Sequence, residues 1–300
     1  MESEEFFQRY DAGERDFSGV DLRRVMNFHY RVPAFRDTIL KGANLSGITR
    51  YRIDFNGADL SNAYLEGTDI KYANLRQANL SGANLRGANL AETDLSFADF
   101  RGADLTGIDL SRANLTDANL LGANWSSIIT EGTLFCNTTM PDGSIYSDPT
   151  RVIKVEELLQ RYANGERKFY DIVIHRANLE GADLRDIELG GAILSRANLR
   201  GANLERANLN RINFWGANLS GANLFLTEMN HADLKDTDLR GADFRGAQMV
   251  AVNLSGANLE GANWEDAWLL DAILWNTICP NGEVVVERCS IGSERRRSLC

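Results

Sequence analysis

The chain has 300 residues and a formal net charge of −10 at pH 7, and 44% of its residues are hydrophobic. That is enough apolar material for a sizeable core, and the excess of acid favours solubility. No apolar stretch approaches membrane-spanning length and the acidic N-terminus lacks a signal-peptide pattern, so we expect a cytoplasmic protein with no membrane contact.

Residues of about 3–12 predict a short amphipathic helix. Glu4 and Glu5 stand in the first turn, where the helix dipole favours acids, and Phe6 adds to an apolar side. Gly13 gives a stop signal. We expect this helix to cover the open end of the segment that follows it.

A leucine-like residue returns at every fifth position over residues of about 35–125, as in Ala83-Asn84-Leu85. An α-helix would carry these residues around its surface, and a strand would send alternate ones to opposite faces. A coil with flat five-residue sides places all of them inside. A fixed period that buries a core by stacking neighbouring coils is typical of a solenoid.

Positions in each five-residue repeat are numbered here from the leucine-like centre. Ala at −2 is expected to point inward with the centre, and Gly at +2 to relieve the corner. Asn or Asp at −1 has a short side chain that bonds nearby backbone groups and stabilises a turn. These polar residues are therefore interpreted as corner residues and not as ligand-binding residues.

The consensus is weakest from Val25 to Ile53, where local distortion is expected. Arg50 stands at a centre, where a buried unpaired charge would be costly. Aromatic and cationic residues of this segment cluster with residues 71 and 72 on one inferred wall, and such groups are common at interaction sites. The candidate partner-binding residues are Arg50, Tyr51, Arg52, Lys71 and Tyr72. The alternative is an ordinary solvated face.

The organisation is then used a second time. The sequence of residues 4–17 reappears at residues 156–169. Each of the two repeat runs is followed by a similar turn signal that contains a proline. The first module comprises residues 1–150, with a tail and connector at 126–150. The second comprises residues 151–300, with a capping helix of about 154–164, repeats of about 169–274 and a C-terminal tail at 275–300.

An apolar group on the second module is a further surface candidate, formed by Val250, Ala251, Trp268 and Leu270. The alternative is that the tail strand 284–286 folds back and covers it.

Catalytic and metal-binding patterns are missing from the sequence. The histidines His29, His175 and His231 lie far apart in the sequence, and the acids at −1 surround the coil instead of converging on one cleft. Cys136, Cys279, Cys289 and Cys300 lack metal-type spacing and are expected to be reduced, with a Cys289–Cys300 bridge as the alternative. We expect no enzymatic activity, no cofactor and no metal.

The repeats closely resemble the pentapeptide-repeat family, whose pattern is Ala-(Asp/Asn)-Leu-x-x, and the tandem arrangement looks most like its cyanobacterial members. The resemblance implies an all-β solenoid, a right-handed quadrilateral β-helix with four pentapeptides in each coil. Residues twenty apart would then stack, with Phe35 under Phe55. Each of the two tandem modules would carry a short N-terminal capping helix.

Two functions follow as hypotheses. The first is a structural or protein-binding scaffold that presents flat walls to a protein partner, with no small-molecule substrate. The alternative is a DNA-mimicking protein that binds a topoisomerase such as gyrase, as some members of that family do. Outward arginines such as Arg86 and Arg101 dilute a DNA-like field, and no C-terminal dimerising helix is evident. Direct binding of nucleic acid is not expected.

Overall fold

The computed structural model describes residues 2–28, 34–286 and 289–290. They divide into two compact units, Met1–Asp148 and Pro149–Cys300. His29 and Cys300, named above, lie outside the described residues. The helices are α1 (Ser3–Asp11), α2 (Arg23–Phe28) and α3 (Val155–Ala163), and the strands are β1 (Thr138–Thr139), β2 (Ile145–Tyr146), β3 (Ile273–Leu274), β4 (Thr277–Ile278), β5 (Val284–Val285) and β6 (Cys289–Ser290).

Most of each unit is a ladder of parallel bridges between residues twenty apart, such as Asp59 with Asn79 and Asn203 with Asn223. One coil therefore contains 20 residues, as the resemblance implies. The rings of Phe35 and Phe55 stack with centroids 5.2 Å apart, which confirms that predicted pair. Each side of a coil contributes a single bridging residue between two corners, so the ladder forms without the continuous strands that an all-β fold suggests.

The ladder of the first unit is longer than the predicted repeats. It begins at Asp16 and continues to Thr139, beyond the expected limits of 35 and 125. The first rungs join Asp16 to Ile39 and Asp21 to Asn44, which are 23 residues apart. Helix α2 lies inside this enlarged coil. The distortion expected after Val25 is thus an insertion into a coil that remains in the ladder.

The core contains the residues at −2 and at the centre. Ala83 and Leu85 in the first unit and Leu204 in the second have no exposed surface. Thr replaces Ala at some inward positions because its hydroxyl finds a backbone acceptor. The hydroxyl of Thr68 donates to the carbonyl of Leu65 at 2.9 Å, so its burial leaves no unsatisfied polar group.

The corners are turns with a positive φ at +2. The N–H of Ala43 donates to the carbonyl of Leu40 at 3.0 Å, and Gly42 between them has φ 65°. This is the conformation of a type II turn, which favours glycine. Many corners nevertheless contain other residues at +2, such as Phe97 at φ 62° and Leu226 at φ 57°.

The polar residue at −1 bonds as expected. Asp54 Oδ1 accepts the N–H of Asn56 at 3.1 Å and also the side-chain amide of Asn74, one coil further on, at 2.9 Å. The first bond holds the corner in a turn conformation, and the second joins successive coils.

Aromatic and aliphatic side chains of the N-terminal helices join the core of each unit. The ring of Phe6 in α1 lies 4.6 Å from that of Phe17 and 5.8 Å from that of Phe35, measured between centroids. Leu158 in α3 is fully buried against the core of the second unit.

Short antiparallel pairings follow the last coils. Strands β1 and β2 pair in the first unit, and β3 with β6 and β4 with β5 in the second. Cys136 is a free thiol whose pKa is raised to about 11, chiefly by burial. Cys279 is disulfide-bonded, so the expectation of reduced thiols is wrong for this residue. In the described part of the chain, no helix combines the length and apolar character that a bilayer crossing requires.

Candidate partner-binding patch

The five candidate residues lie on successive coils of one wall of the first unit. The N–H of Arg50 donates to the carbonyl of Asp69 at 2.8 Å, and that of Arg52 to the carbonyl of Lys71 at 3.0 Å. These inter-coil bonds place residues 50–52 beside residues 69–72. The structure therefore brings the sequence-predicted set together, and the name patch is used below for Arg50, Tyr51, Arg52, Lys71 and Tyr72.

Both tyrosines of the patch project outward from corners. Tyr51 is 55% exposed and Tyr72 is 48% exposed. Arg52 and Tyr72 both stand at +2 with positive φ, at 59° and 61°. The hydroxyl of Tyr51 donates to Asp69 Oδ2 at 3.2 Å.

Arg50 does not carry the buried charge that its position in the repeat suggests. Its neighbours Ile48 and Ile53 are buried in the core, whereas Arg50 is only half-buried. Partial exposure of Arg50 lowers the cost of placing a charged residue at this position. The exception to the leucine rule is therefore compatible with an intact coil.

Asp69 belongs to the same surface, although it is not among the residues predicted from the sequence. Its Oδ1 is buried without a hydrogen-bond partner among the described residues, and its Oδ2 lies 3.9 Å from Lys71 Nζ in addition to the bond from Tyr51. The sequence feature that indicates this contact is a separation of 18 residues, because the side chain of a residue at +1 reaches the residue at −1 of the next coil. Arg86 with Asp104, at 3.2 Å, is another example.

Several other outward acids pair with an arginine of their own corner. Arg at +1 forms a close ion pair with Asp at −1, and its hydrogen bonds lower the pKa of the carboxyl. The Asp–Arg distances are 2.8 Å for Asp183–Arg185, 2.7 Å for Asp238–Arg240 and 2.7 Å for Asp243–Arg245, with the pKa lowered in each acid. Against this background, Arg52 makes no side-chain ion pair within the described ranges.

The apolar group of the second unit is not covered in the way that the sequence suggested. The tail strand β5 pairs with β4, and Trp268 remains 51% exposed. Val250, Ala251 and Leu270 are partly exposed.

The described residues contain no group of three or more His, Cys, Asp or Glu side chains that could hold a metal ion. His175 and His231 occur at different corners of the second unit.

Stacked coils of four five-residue sides, each closed by a turn and filled by a small and a large apolar residue, define a solenoid of pentapeptide type. The family profile for pentapeptide repeats matches eight copies within residues 51–127 and 174–278. The chain belongs to the pentapeptide repeat family, whose members fold as right-handed quadrilateral β-helices.

Several solved structures are similar to the chain. HetL, a pentapeptide repeat protein involved in heterocyst differentiation regulation in Nostoc sp. strain PCC 7120, is 27% identical; 95% of this chain and 100% of HetL are covered, with a TM-score of 0.21. A pentapeptide repeat protein from the Arabidopsis thaliana thylakoid lumen is 32% identical over 37% of this chain and 70% of its own, with a TM-score of 0.25. QnrB1, a plasmid-mediated fluoroquinolone resistance protein, is 17% identical over 87% and 92%, with a TM-score of 0.21.

At these TM-scores the superpositions support no functional argument, and family membership rests on the repeat profile. No curated protein matches the chain significantly.

Proposed function

We propose that the chain is a non-enzymatic protein-binding scaffold and that the patch is its contact surface. The observation that carries this proposal is the combination of two half-exposed tyrosines with Arg52, which has no ion-pair partner among the described residues. At other corners of the walls, Arg185, Arg240 and Arg245 each pair with the acid of their own corner.

The physical character of the patch favours binding to a protein. Tyrosine and arginine are the residues that most often dominate binding energy at interfaces. Their backbones are fixed here by inter-coil hydrogen bonds, which lowers the entropy lost on association. Three cations accompany the single carboxylate of Asp69, so a partner with an acidic contact surface is the best complement.

The architectural part of the proposal is that two tandem modules, 1–150 and 151–300, each carry a capping helix at their N-terminal end. Phe6 of α1 and Leu158 of α3 support it, because both are fully buried in the cores of their units. An uncovered coil end would expose apolar core and unpaired backbone groups.

The alternative proposal, a DNA-mimicking topoisomerase-binding protein, is favoured by the net charge of −10. The corner pairs weaken it, since an acid bonded to its own arginine contributes little to a DNA-like field. A cytoplasmic location, a cyanobacterial source and the absence of a cofactor remain predictions.

The test compares the wild-type chain with the double variant Tyr51→Ala, Tyr72→Ala in cross-linking and affinity capture from cells of its source organism. Tyr64→Ala is the matched control, because Tyr64 is also 55% exposed in the first unit but lies outside the patch. Recovery of one protein by wild type and control, and its loss with the double variant at unchanged melting temperature, is expected. Equal recovery by all three would remove the patch from the proposal.

A second pair of substitutions distinguishes the DNA-mimicry alternative from the scaffold proposal. Asp99→Asn with Asp104→Asn should leave partner recovery unchanged if the patch is the contact. If these acid substitutions instead abolish inhibition of gyrase-catalysed supercoiling while the tyrosine variant retains it, the mimicry alternative replaces the scaffold.

A further inference from the structure

A polar groove lies on one wall of the second unit. Its volume is about 500 Å³, within the usual range for small-ligand sites. The groove is lined by Tyr170, Asp171, Gly190, Gly191, Asn208, Asn210, Arg211, Asn230 and His231.

Two adjacent glycines create the groove. A Cβ on Gly190 would lie 3.2 Å from Cδ1 of Tyr170, so the tyrosine ring rests over a position that has no side chain. A Cβ on Gly191, which has φ +71°, would overlap the carboxylate of Asp171. The ring and the carboxylate thus occupy the space that the two glycines leave, one coil before Arg211.

The preceding corner of the same unit shows what the groove lacks. Arg206 and Arg211 both stand at +2, with φ of 57° and 58°. Arg206 has Asp186 twenty residues before it and binds that carboxylate through Nε at 2.8 Å and through its terminal nitrogen Nη2 at 2.9 Å. Arg211 has Gly191 at the corresponding place, and its guanidinium makes no hydrogen bond or ion pair with the described residues.

Charges of both signs therefore face the groove unpaired. Among the described residues, no ion pair or side-chain hydrogen bond joins the Asp171 carboxylate or the Arg211 guanidinium to a neighbour. His231, one coil beyond Arg211, adds an exposed imidazole with no described side-chain partner. An anion alone would be repelled by Asp171, and a cation alone by Arg211.

We infer that the groove binds a small zwitterion that carries an ammonium group and a carboxylate, such as an amino acid. The carboxylate binds Arg211 and His231, which offer planar N–H donors. The ammonium group binds the Asp171 carboxylate and the face of Tyr170. The Asp171 carboxylate reaches the level of Gly191, which is one coil, roughly 5 Å at the usual strand spacing, from the backbone of Arg211. A flexible ω-amino acid can adjust the separation of its two charges to this gap, which an α-amino acid cannot do.

The probe is 6-aminohexanoate, titrated calorimetrically into the full chain, with hexanoate and hexylamine as ligands that carry one charge each. Saturable binding of 6-aminohexanoate at one site, with at least tenfold weaker binding of both single-charge ligands, is expected. Equal binding of hexanoate would identify a plain anion site and overturn the inference. No binding of 6-aminohexanoate would overturn it as well, since Arg211 then closes onto Asp171 or stays solvated.

The matched variants locate the site. Asp171→Asn and Arg211→Gln should each weaken binding about tenfold or more, because each leaves one ligand charge unpaired. Asp266→Asn and Arg112→Gln are the controls, since both residues are exposed, stand at +2 with φ 58° and do not line the groove. Binding that survives Asp171→Asn and Arg211→Gln at unchanged melting temperature would place the ligand elsewhere and refute the assignment.

Discussion

Replacing Gly256 by alanine should destabilise the second unit more than the same change at Gly261, one corner further on. Both glycines stand at +2, with φ of +74° and +70°. A Cβ at Gly261 would meet no atom within 4 Å. A Cβ at Gly256 would overlap Oδ1 of Asp236 and lie 3.2 Å from its Cγ. The carboxylate of Asp236 must therefore move in one variant and not in the other.

The magnitudes follow from two separate costs. Alanine in the left-handed region costs about 1–2 kcal/mol, and both variants have this cost. Asp236 Oδ2 accepts the indole N–H of Trp215 at 2.9 Å, and Trp215 is only 5% exposed. Displacing the carboxylate leaves that buried donor poorly bonded, which costs about 1–3 kcal/mol. Gly256→Ala should therefore exceed Gly261→Ala by about 1–3 kcal/mol.

Urea unfolding followed by far-ultraviolet circular dichroism measures the difference, and both changes fall in the same unit, so its cooperativity is common to the two curves. A cycle with Asp236→Ala isolates the cause, because Gly256→Ala should then cost no more than Gly261→Ala. Equal destabilisation of the two glycine variants in the wild-type background would refute the reasoning, as would an excess that persists without Asp236.

Leu204→Asp should lower the free energy of unfolding of the second unit by about 4 kcal/mol or more, because Leu204 is fully buried. Arg200→Ala should change the melting temperature of this unit little, because Arg200 is exposed. Equal melting temperatures of the two variants would contradict the assignment of Leu204 to the interior and Arg200 to the surface. Deletion of residues 1–12 should expose the core around Phe6 and promote oligomers, which light scattering detects; a monomer of unchanged stability would exclude a capping role. A hydrogen bond from Arg23 lowers the pKa of Asp21 to about 2, below the unfolded value of about 3.9, so its stabilisation is complete above that value and is lost as the pH falls from about 4 through 2. Asp21→Asn should remove this part of the acid dependence, and an unchanged pH profile of stability would count against the pair.

The period of the repeat by itself determines much of the structure. A five-residue recurrence of Leu with Ala two positions earlier is compatible with only one way of burying both, so the coil, its core and its corner chemistry could be predicted. The grouping of the patch residues was also predictable, because Arg50 departs from the repeat and the four-sided coil that the family resemblance implies brings residues twenty apart together. The extent of the first ladder was not predictable in this way. Asp16 and Thr139 form bridges of the ladder although the sequence around them no longer follows the consensus of the repeat.

The tertiary structure alone decided the contacts that depend on side-chain direction and on which neighbour is missing. Asp69 joins the patch because a residue at +1 reaches the acid 18 positions later, and the sequence does not display that reach. The groove arises because Gly190 and Gly191 remove two side chains beside Tyr170 and Asp171, although in sequence both read as ordinary positions near a corner. A repeat fixes the backbone through hydrogen bonds common to every coil. A binding site depends on deviations from the repeat, and their consequences appear only when neighbouring coils are stacked.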